Sequence, residues 1–260
     1  MVNRKHIGTG AGAGLAVLLG LGAATAGYAV LRLRAAARVA ARARPFEHGS
    51  RQEGARLLVV GDSTAAGAGA SAPACSLPGL LARANPSLSV VNRAKPGAGF
   101  AAMREQLDAN DESFDAVLIL GGASDVLGRT PDAELRERIA AVAQRARVRA
   151  ELVVFMPPGN LGSLPFLLPP WNWWMSYRAR RLQAIVAQVA QTNGALHVSL
   201  FRERADDPFA RHPRRLAAPD GLHPSDAGYE LWQRELEAQV QLSAKLRRIG
   251  RQSAAHGAPI

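Results

Sequence analysis

Five short apolar runs rich in β-branched residues alternate with helical patterns along the chain from residue 55 onward. The runs cover residues 57–60, 88–92, 116–120, 152–156 and 196–200. Strands that alternate with helices in this way predict a parallel sheet that is covered on both faces. Because crossovers between parallel strands are right-handed, the pattern predicts a three-layer, doubly wound α/β fold with a five-stranded parallel sheet.

The helical patterns between the runs have recognisable ends. Between the third and fourth runs, Thr130 is predicted to cap a helix whose first position is Pro131. A second helix is predicted over residues 177–192, and a last helix begins near Ser225. Each helix carries apolar residues on one face, which is the face we expect to pack on the sheet.

The amino-terminal segment carries no charged residue between positions 7 and 31. A helix of that length spans about 37 Å, more than the roughly 30 Å of a bilayer's hydrocarbon core. We therefore predict a transmembrane helix over residues 7–31 that anchors the protein in a membrane, with the bacterial inner membrane as the expected location. The alternative is a signal peptide that is cleaved near residues 24–26, followed by export.

The net charge of +11 is concentrated beside this segment. Residues 1–51 contain eight Lys and Arg residues against one acid, Glu47, and so carry +7 of the total. No zinc-finger spacing or aromatic RNA-binding motif is present, so a membrane surface is a better candidate partner than nucleic acid. Arg34, Arg38 and Arg42 repeat at four-residue spacing, which also suits a helix that lies on anionic lipid. The arginines flank the segment in a way that leaves its membrane sidedness open.

These patterns divide the chain into four parts. Residues 1–44 form the anchor and its basic flank, residues 45–54 a linker, residues 55–242 a single domain, and residues 243–260 a basic tail without regular structure. The single cysteine, Cys75, excludes an intrachain disulfide. The oligomeric state is left open.

Polar residues follow the ends of the predicted strands. Ser63 follows the first strand, Gly97 the second and Ser124 the third, whereas Asp220 and His223 precede the last helix. In doubly wound sheets, ligands bind beyond the carboxyl ends of the strands. A serine hydroxyl needs a neighbouring base to act as a nucleophile, and a histidine supported by a carboxylate supplies one. The residues alone leave open whether Ser63 attacks a substrate or caps a helix.

Four sequence blocks together resemble one enzyme family. The blocks "GDSTAAG", "NRAKPG", "GASD" and "DGLHPSDAGY" stand in the order found in the SGNH hydrolases, also called GDSL-type esterases and lipases. The resemblance covers residues 57–236. It implies a flavodoxin-like α/β/α fold and hydrolysis of carboxylic esters or thioesters without a metal or other cofactor, here in a membrane-anchored member of bacterial type.

The resemblance also implies the roles of the site residues. Ser63 corresponds to the nucleophile and first oxyanion donor, Gly97 to the second donor, and Asp220 and His223 to the rest of the catalytic triad. The family's third block normally carries an Asn as a further oxyanion donor, and Ser124 stands in its place. Three alternatives follow from this substitution. Ser124 donates a hydrogen bond to the oxyanion directly or through water, or the enzyme works more slowly with two backbone donors. In the third alternative, the protein is a non-catalytic envelope binding protein.

The expected substrates are esters of lipids or acylated glycans. An O-acyltransferase would use the same triad and differs only in the acceptor of the acyl group. The segment "PPGNLGSLPFLLPPWNWW" over residues 157–174 follows the fourth strand and borders the same cleft. We predict that Phe166, Leu167, Trp171 and Trp173 wall an acyl pocket; the alternatives are contact with a bilayer interface or packing over the sheet edge.

Overall fold

The computed structural model describes residues 8–50 and 54–257, and the side chains of residues 20–50 and 54–252 within them. The strands are β1 Arg56–Gly61, β2 Ser89–Asn92, β3 Ala116–Leu120, β4 Leu152–Met156 and β5 Leu196–His197. The helices are α1 Gly8–Arg42, α2 Leu77–Ala84, α3 Phe100–Asp108, α4 Ala123–Leu127, α5 Asp132–Arg149, α6 Trp171–Thr192, α7 Pro208–Arg211, α8 Pro213–Leu216, α9 Asp226–Val240 and α10 Leu242–Gly257.

The five strands form one parallel sheet in the order β2-β1-β3-β4-β5. This is the flavodoxin-like order, in which the chain reverses direction across the sheet between β1 and β3. The register pairs Gly61 at the end of β1 with Leu120 at the end of β3. The loops that follow these two strands therefore start side by side, and the predicted α/β fold with a five-stranded parallel sheet is confirmed.

The predicted fifth strand is longer than the observed one. Only Leu196 and His197 pair with β4. The side chain of Gln239 hydrogen-bonds to both backbone groups of Ser199. The Ser199 N–H donates to Gln239 Oε1 at 2.9 Å, and Gln239 Nε2 donates to Ser199 O at 3.0 Å. Because these groups are satisfied by a helix side chain, the strand ends earlier than its apolar pattern indicates.

Two predicted helix starts are corrected. Helix α5 begins at Asp132 with Pro131 as its N-cap, and the hydroxyl of Thr130 instead donates to Asp125 Oδ1 at 3.2 Å. Helix α6 begins at Trp171 rather than at residue 177, because the carbonyl of Pro170 accepts the N–H groups of the first helical turn.

The predicted unstructured tail is helical over the residues of α10. Leu242 and Leu246 of this helix are buried, and Arg247 donates to Asn85 Oδ1 at 2.8 Å. Its apolar residues recur at a spacing of four, so that one face packs against the domain. Residues 258–260 lie outside the described residues.

Part of the predicted linker pairs with the sheet, and a long helix covers most of the predicted membrane segment. His48 forms an antiparallel bridge with Val90, so the segment before residue 51 adds to the edge of the sheet next to β2. Helix α1 contains most of the predicted transmembrane segment, whose first residue, Ile7, lies outside the described residues. Within the part of the chain that the structure describes, no helix combines the length and the apolar character that a membrane crossing requires.

The carboxyl-terminal half of α1 packs on the domain. Ala36 and Ala40 are 3% and 9% exposed, and the hydroxyl of Tyr28 donates to Pro165 O at 3.3 Å. Alanines four residues apart lie on one face of a helix and let its backbone approach a neighbouring surface closely. This half of α1 is therefore part of the folded domain.

Candidate active site

The loop after β1 holds Ser63 in a tight turn. A Cβ atom on Gly61 would lie 1.9 Å from Leu120 O, so only glycine allows β1 to end this close to β3. The buried carboxylate of Asp62 accepts hydrogen bonds from Thr64 N at 2.9 Å, Thr64 Oγ1 at 2.7 Å and Gly122 N at 3.2 Å. Burial raises the pKa of Asp62, although these hydrogen bonds oppose the rise. Asp62 thus fixes the turn and joins it to the loop after β3.

Ser63, His223 and Asp220 form one hydrogen-bonded series. Ser63 Oγ lies 2.9 Å from His223 Nε2, and His223 Nδ1 lies 2.5 Å from Asp220 Oδ2. The second carboxylate oxygen, Asp220 Oδ1, accepts the N–H groups of Leu222 at 2.9 Å and His223 at 3.1 Å. Both Asp220 and His223 are buried. The structure therefore brings together the three predicted triad residues from positions up to 160 residues apart.

The environment of Asp220 keeps its carboxyl ionised. Burial raises the pKa of this carboxyl, but the hydrogen bond and charge of His223, together with the two backbone N–H groups, lower the pKa further than burial raises it. An ionised Asp220 accepts the Nδ1–H of His223. The Nε2 atom that faces Ser63 is then free to take a proton.

The three predicted oxyanion donors, Ser63, Gly97 and Ser124, line the same cavity as His223. Among the described residues, the N–H groups of Ser63 and Gly97 and the hydroxyl of Ser124 have no hydrogen-bond partner. Gly97 has a φ of +80°, and the space where a Cβ would stand is open. Unpaired donors at the edge of a cavity are available to a ligand oxygen.

Asp125 joins the loops that carry two of these donors, whereas its place in the sequence predicts support of its own turn alone. Its Oδ2 accepts the N–H of Phe100 at 2.9 Å, and its Oδ1 lies 3.3 Å from Arg138 Nη1. Asp125 adjoins Ser124, and Phe100 begins α3, just after the loop that contains Gly97. The carboxylate therefore connects the loops after β2 and β3. Its place directly after Ser124 in "GASD" was the available signal.

Tyr229 links the nucleophile loop to the helix that follows His223. Its hydroxyl, on a side chain that is 0% exposed, lies 2.7 Å from Ala68 O and 3.0 Å from Thr64 O. Burial raises the pKa of Tyr229 well above its ordinary value, so the hydroxyl stays a neutral donor. Asp226 on the same helix accepts from Ser71 N at 2.8 Å. The sequence pattern predicts Tyr229 only as part of the apolar face of the last helix, with no contact to the nucleophile loop.

The cavity at the triad encloses about 380 Å³ and has mostly apolar walls. Besides Ser63, His223 and the other oxyanion residues, it is lined by residues of α1, of the segment after β4, and of α9. Leu161, Leu164 and Leu222 are among its apolar lining residues. A cavity of this volume and character suits the apolar part of a small ligand.

The predicted acyl-pocket residues do not line this cavity. Phe166 and Leu167 are buried in the core, whereas Trp171 and Trp173 are exposed, the latter by 67%. The reason is the early start of α6, which places Trp171 and Trp173 on its outer surface. Trp174, by contrast, packs against the guanidinium groups of neighbouring arginines. The segment after β4 does reach the cavity, but through residues 158–161 and Leu164.

Comparison with known proteins identifies the family. The model of the GDSL-like lipase/acylhydrolase family matches residues 59–231, which is more than half of the chain and includes every triad residue. The chain belongs to the GDSL-like lipase/acylhydrolase family. A curated relative, a GDSL-like esterase of Mycobacterium tuberculosis, is 27% identical over 184 residues. That match covers 67% of this GDSL-like chain and 58% of the relative, so the chain spans little more than half of the relative's length.

Solved structures share the fold of this GDSL-like protein. TesA is 22% identical, with a TM-score of 0.57 over 72% of this chain and 99% of that one. A mutant form of Axe2, an acetyl-xylooligosaccharide esterase of Geobacillus stearothermophilus, is 20% identical, with a TM-score of 0.54 over 74% and 94%. An extracellular lipase of Streptomyces rimosus is 18% identical, with a TM-score of 0.52 over 72% and 100%. At these identities the likeness shows the fold alone.

Proposed function

We propose that the protein is a serine hydrolase of carboxylic esters. The observation that carries the proposal is the continuous hydrogen-bonded series from Ser63 through His223 to Asp220, which opens on an apolar cavity. Membership of the GDSL-like lipase/acylhydrolase family supports the same reaction class. A helix cap alone would not need a buried histidine and carboxylate in series behind the serine.

The geometry supports a two-step acyl transfer. His223 Nε2 takes the proton of Ser63 Oγ as this oxygen bonds to the ester carbonyl carbon. The carbonyl oxygen becomes an oxyanion, which the N–H groups of Ser63 and Gly97 stabilise. His223 then gives its proton to the alcohol oxygen as the carbon–oxygen bond breaks. His223 then takes a proton from water as the water oxygen attacks the acyl-enzyme, and gives this proton to Ser63 Oγ as the acyl–oxygen bond breaks, which releases the carboxylic acid.

The cavity walls favour an aliphatic acyl group. Leucines line the space next to Ser63, and burying a methylene group against such walls contributes about 0.8 kcal/mol. A carboxylic ester of a lipid fits this environment better than one with a charged acyl group, because a charge in an apolar cavity loses its hydration.

The hydrolase proposal is tested with p-nitrophenyl butyrate and the full-length chain. Wild-type protein is expected to release p-nitrophenol, and Ser63→Ala is expected to lose the activity. The matched control is Ser113→Ala, an exposed serine away from the cavity, which should keep wild-type activity. Hydrolysis that persists in Ser63→Ala would rule out this nucleophile.

We also propose that the protein attaches to anionic membranes through the outer face of α1. Two observations support this: Arg34, Arg38 and Arg42 are exposed, and seven of the nine large hydrophobic residues exposed in the described chain lie on α1 outside the cavity lining or in residues 168–177. A basic residue near an anionic surface contributes about 1 kcal/mol, so replacing all three arginines by Ser should weaken binding by about 10²-fold.

Co-sedimentation with vesicles tests the attachment. Wild-type protein should sediment with phosphatidylglycerol vesicles and stay in solution with phosphatidylcholine vesicles, and the triple Ser variant should lose the difference. The control replaces three exposed arginines elsewhere, Arg104, Arg147 and Arg214, by Ser. Equal sedimentation of both variants and the wild type would refute the proposal.

A further inference from the structure

Helix α1 forms a wall of the cavity that contains the triad. It lies outside residues 59–231, which the family model matches. The residues of α1 that line the cavity share one face of the helix; they are Leu33, Ala36, Ala37, Ala40 and Ala41. Four of these five are alanines, so the wall is smooth and lies close to the space above Ser63.

Contacts on both sides of the cavity hold this wall in place. Tyr28 Oη lies 3.3 Å from Pro165 O in the segment after β4. The guanidinium of Arg32 packs on the loop that carries the triad: Arg32 Nη2 lies 2.4 Å from where a Cβ of Gly221 would stand. Gly221 stands between Asp220 and His223 in the chain. A side chain there would displace the guanidinium of Arg32 from this loop.

The four cavity-lining alanines of α1 differ in burial: two are buried against the domain, and two, Ala37 and Ala41, are exposed. Ala36 and Ala40 are buried against the domain, so a larger side chain there would push α1 away. Ala37 lines the cavity but is exposed, so a larger side chain can extend from it into the cavity without entering the core. Ala37, like Ala41, is thus a position where the wall can be thickened with little disturbance of the core.

We propose that α1 sets the length of the aliphatic acyl chain that the active site accepts, with Ala37 as a specificity-determining residue. The proposal rests on the hydrolase function proposed above and deepens it: the substrates are esters whose straight acyl chain extends from Ser63 along the alanine face of α1. Because this face is built from methyl groups, it leaves space for the chain. A larger side chain at position 37 takes up that space.

The test compares Ala37→Leu and Ala37→Phe with the wild type in the full-length chain. The assay is kcat/KM for p-nitrophenyl esters with acyl chains of two to twelve carbons, below their micellar concentrations. For each methylene of the substrate's acyl chain that the new side chain displaces from the cavity, kcat/KM should fall about fourfold. The ratio of long-chain to short-chain kcat/KM is therefore expected to fall by about tenfold or more, further for Phe than for Leu. The control is Ala23→Phe, which is exposed on the same helix and outside the cavity lining.

A binding measurement separates this proposal from the hydrolase proposal. Straight-chain fatty acids are titrated calorimetrically into Ser63→Ala, with and without Ala37→Phe. A shift toward shorter chains in binding supports the wall even if no ester is hydrolysed, in which case the hydrolase proposal alone fails. If Ala37→Phe leaves the chain-length profile of hydrolysis or of binding unchanged, the proposal that α1 sets the acyl-chain length is wrong. An equal shift of the profile in Ala23→Phe also refutes it. Absence of any fatty-acid binding to Ser63→Ala also counts against it.

Discussion

Ser124 is expected to limit the rate of ester hydrolysis, and replacing it by Asn should raise kcat. The hydroxyl of Ser124 lines the cavity but bonds to no described residue, and it stands one bond closer to the backbone than the amide of an Asn would. A well-placed oxyanion donor contributes about 2.7–4 kcal/mol, or about 10²–10³ in kcat. Ser63 and Gly97 already supply two backbone donors, so we expect Ser124→Asn to raise kcat by about 10- to 100-fold.

The assay measures kcat and KM separately on one p-nitrophenyl ester for the wild type, Ser124→Asn and Ser124→Ala. A donor that acts only in the transition state raises kcat and leaves KM nearly constant. Ser124→Ala should then stay within about threefold of the wild type, because no effective donor is lost. A 10²-fold fall in Ser124→Ala, with no gain in Ser124→Asn, would show that the serine hydroxyl already serves and would refute this reasoning.

Three further outcomes are expected. Asp220→Asn should lower kcat by about 10⁴-fold, because an amide favours the wrong tautomer of His223; a fall below tenfold in steady-state kinetics would contradict this. The ionised carboxyl of Asp220 should stabilise the fold at pH values above its ordinary pKa of 3.8, because this pKa is lower in the folded state. In urea titrations, the difference in unfolding free energy between the wild type and Asp220→Asn should therefore shrink as the pH falls below 3.8. A difference that stays constant with pH would contradict this. Tyr229→Phe should lower the free energy of unfolding by about 1–3 kcal/mol and reduce kcat more than it changes KM, because Ala68 O loses its buried donor; unchanged values would make the link to the nucleophile loop unimportant.

The parts of the fold that could be predicted are those with a strong local pattern. Strands β1, β3 and β4 are continuous apolar runs, and their bounds agree with the sequence prediction to within one residue. The end of β5 could not be predicted because it depends on the Gln239 side chain, about 40 residues away. The start of α6 at Trp171 could not be predicted, because the proline-rich segment before it indicates a loop rather than a helix.

The candidate site also has a part that the sequence predicts and a part that it does not. The strand ends predict a ligand site at the edge of the sheet that carries Ser63, and the family resemblance implies Asp220 and His223 as its partners. The acyl wall could not be predicted in this way. The apolar character of Phe166 and the tryptophans predicts a pocket wall, yet alanines of α1 line the cavity instead. Apolar character alone does not show which cavity a side chain faces.

The most direct test of the central claim is where, and how fast, a fluorophosphonate reacts with the full-length chain. Mass spectrometry of the digested adduct is expected to find the phosphonyl group on Ser63, with the rate of modification reduced at least 10²-fold in His223→Ala. A wild-type chain modified only at other residues, or a Ser63 whose modification does not depend on His223, would contradict the account.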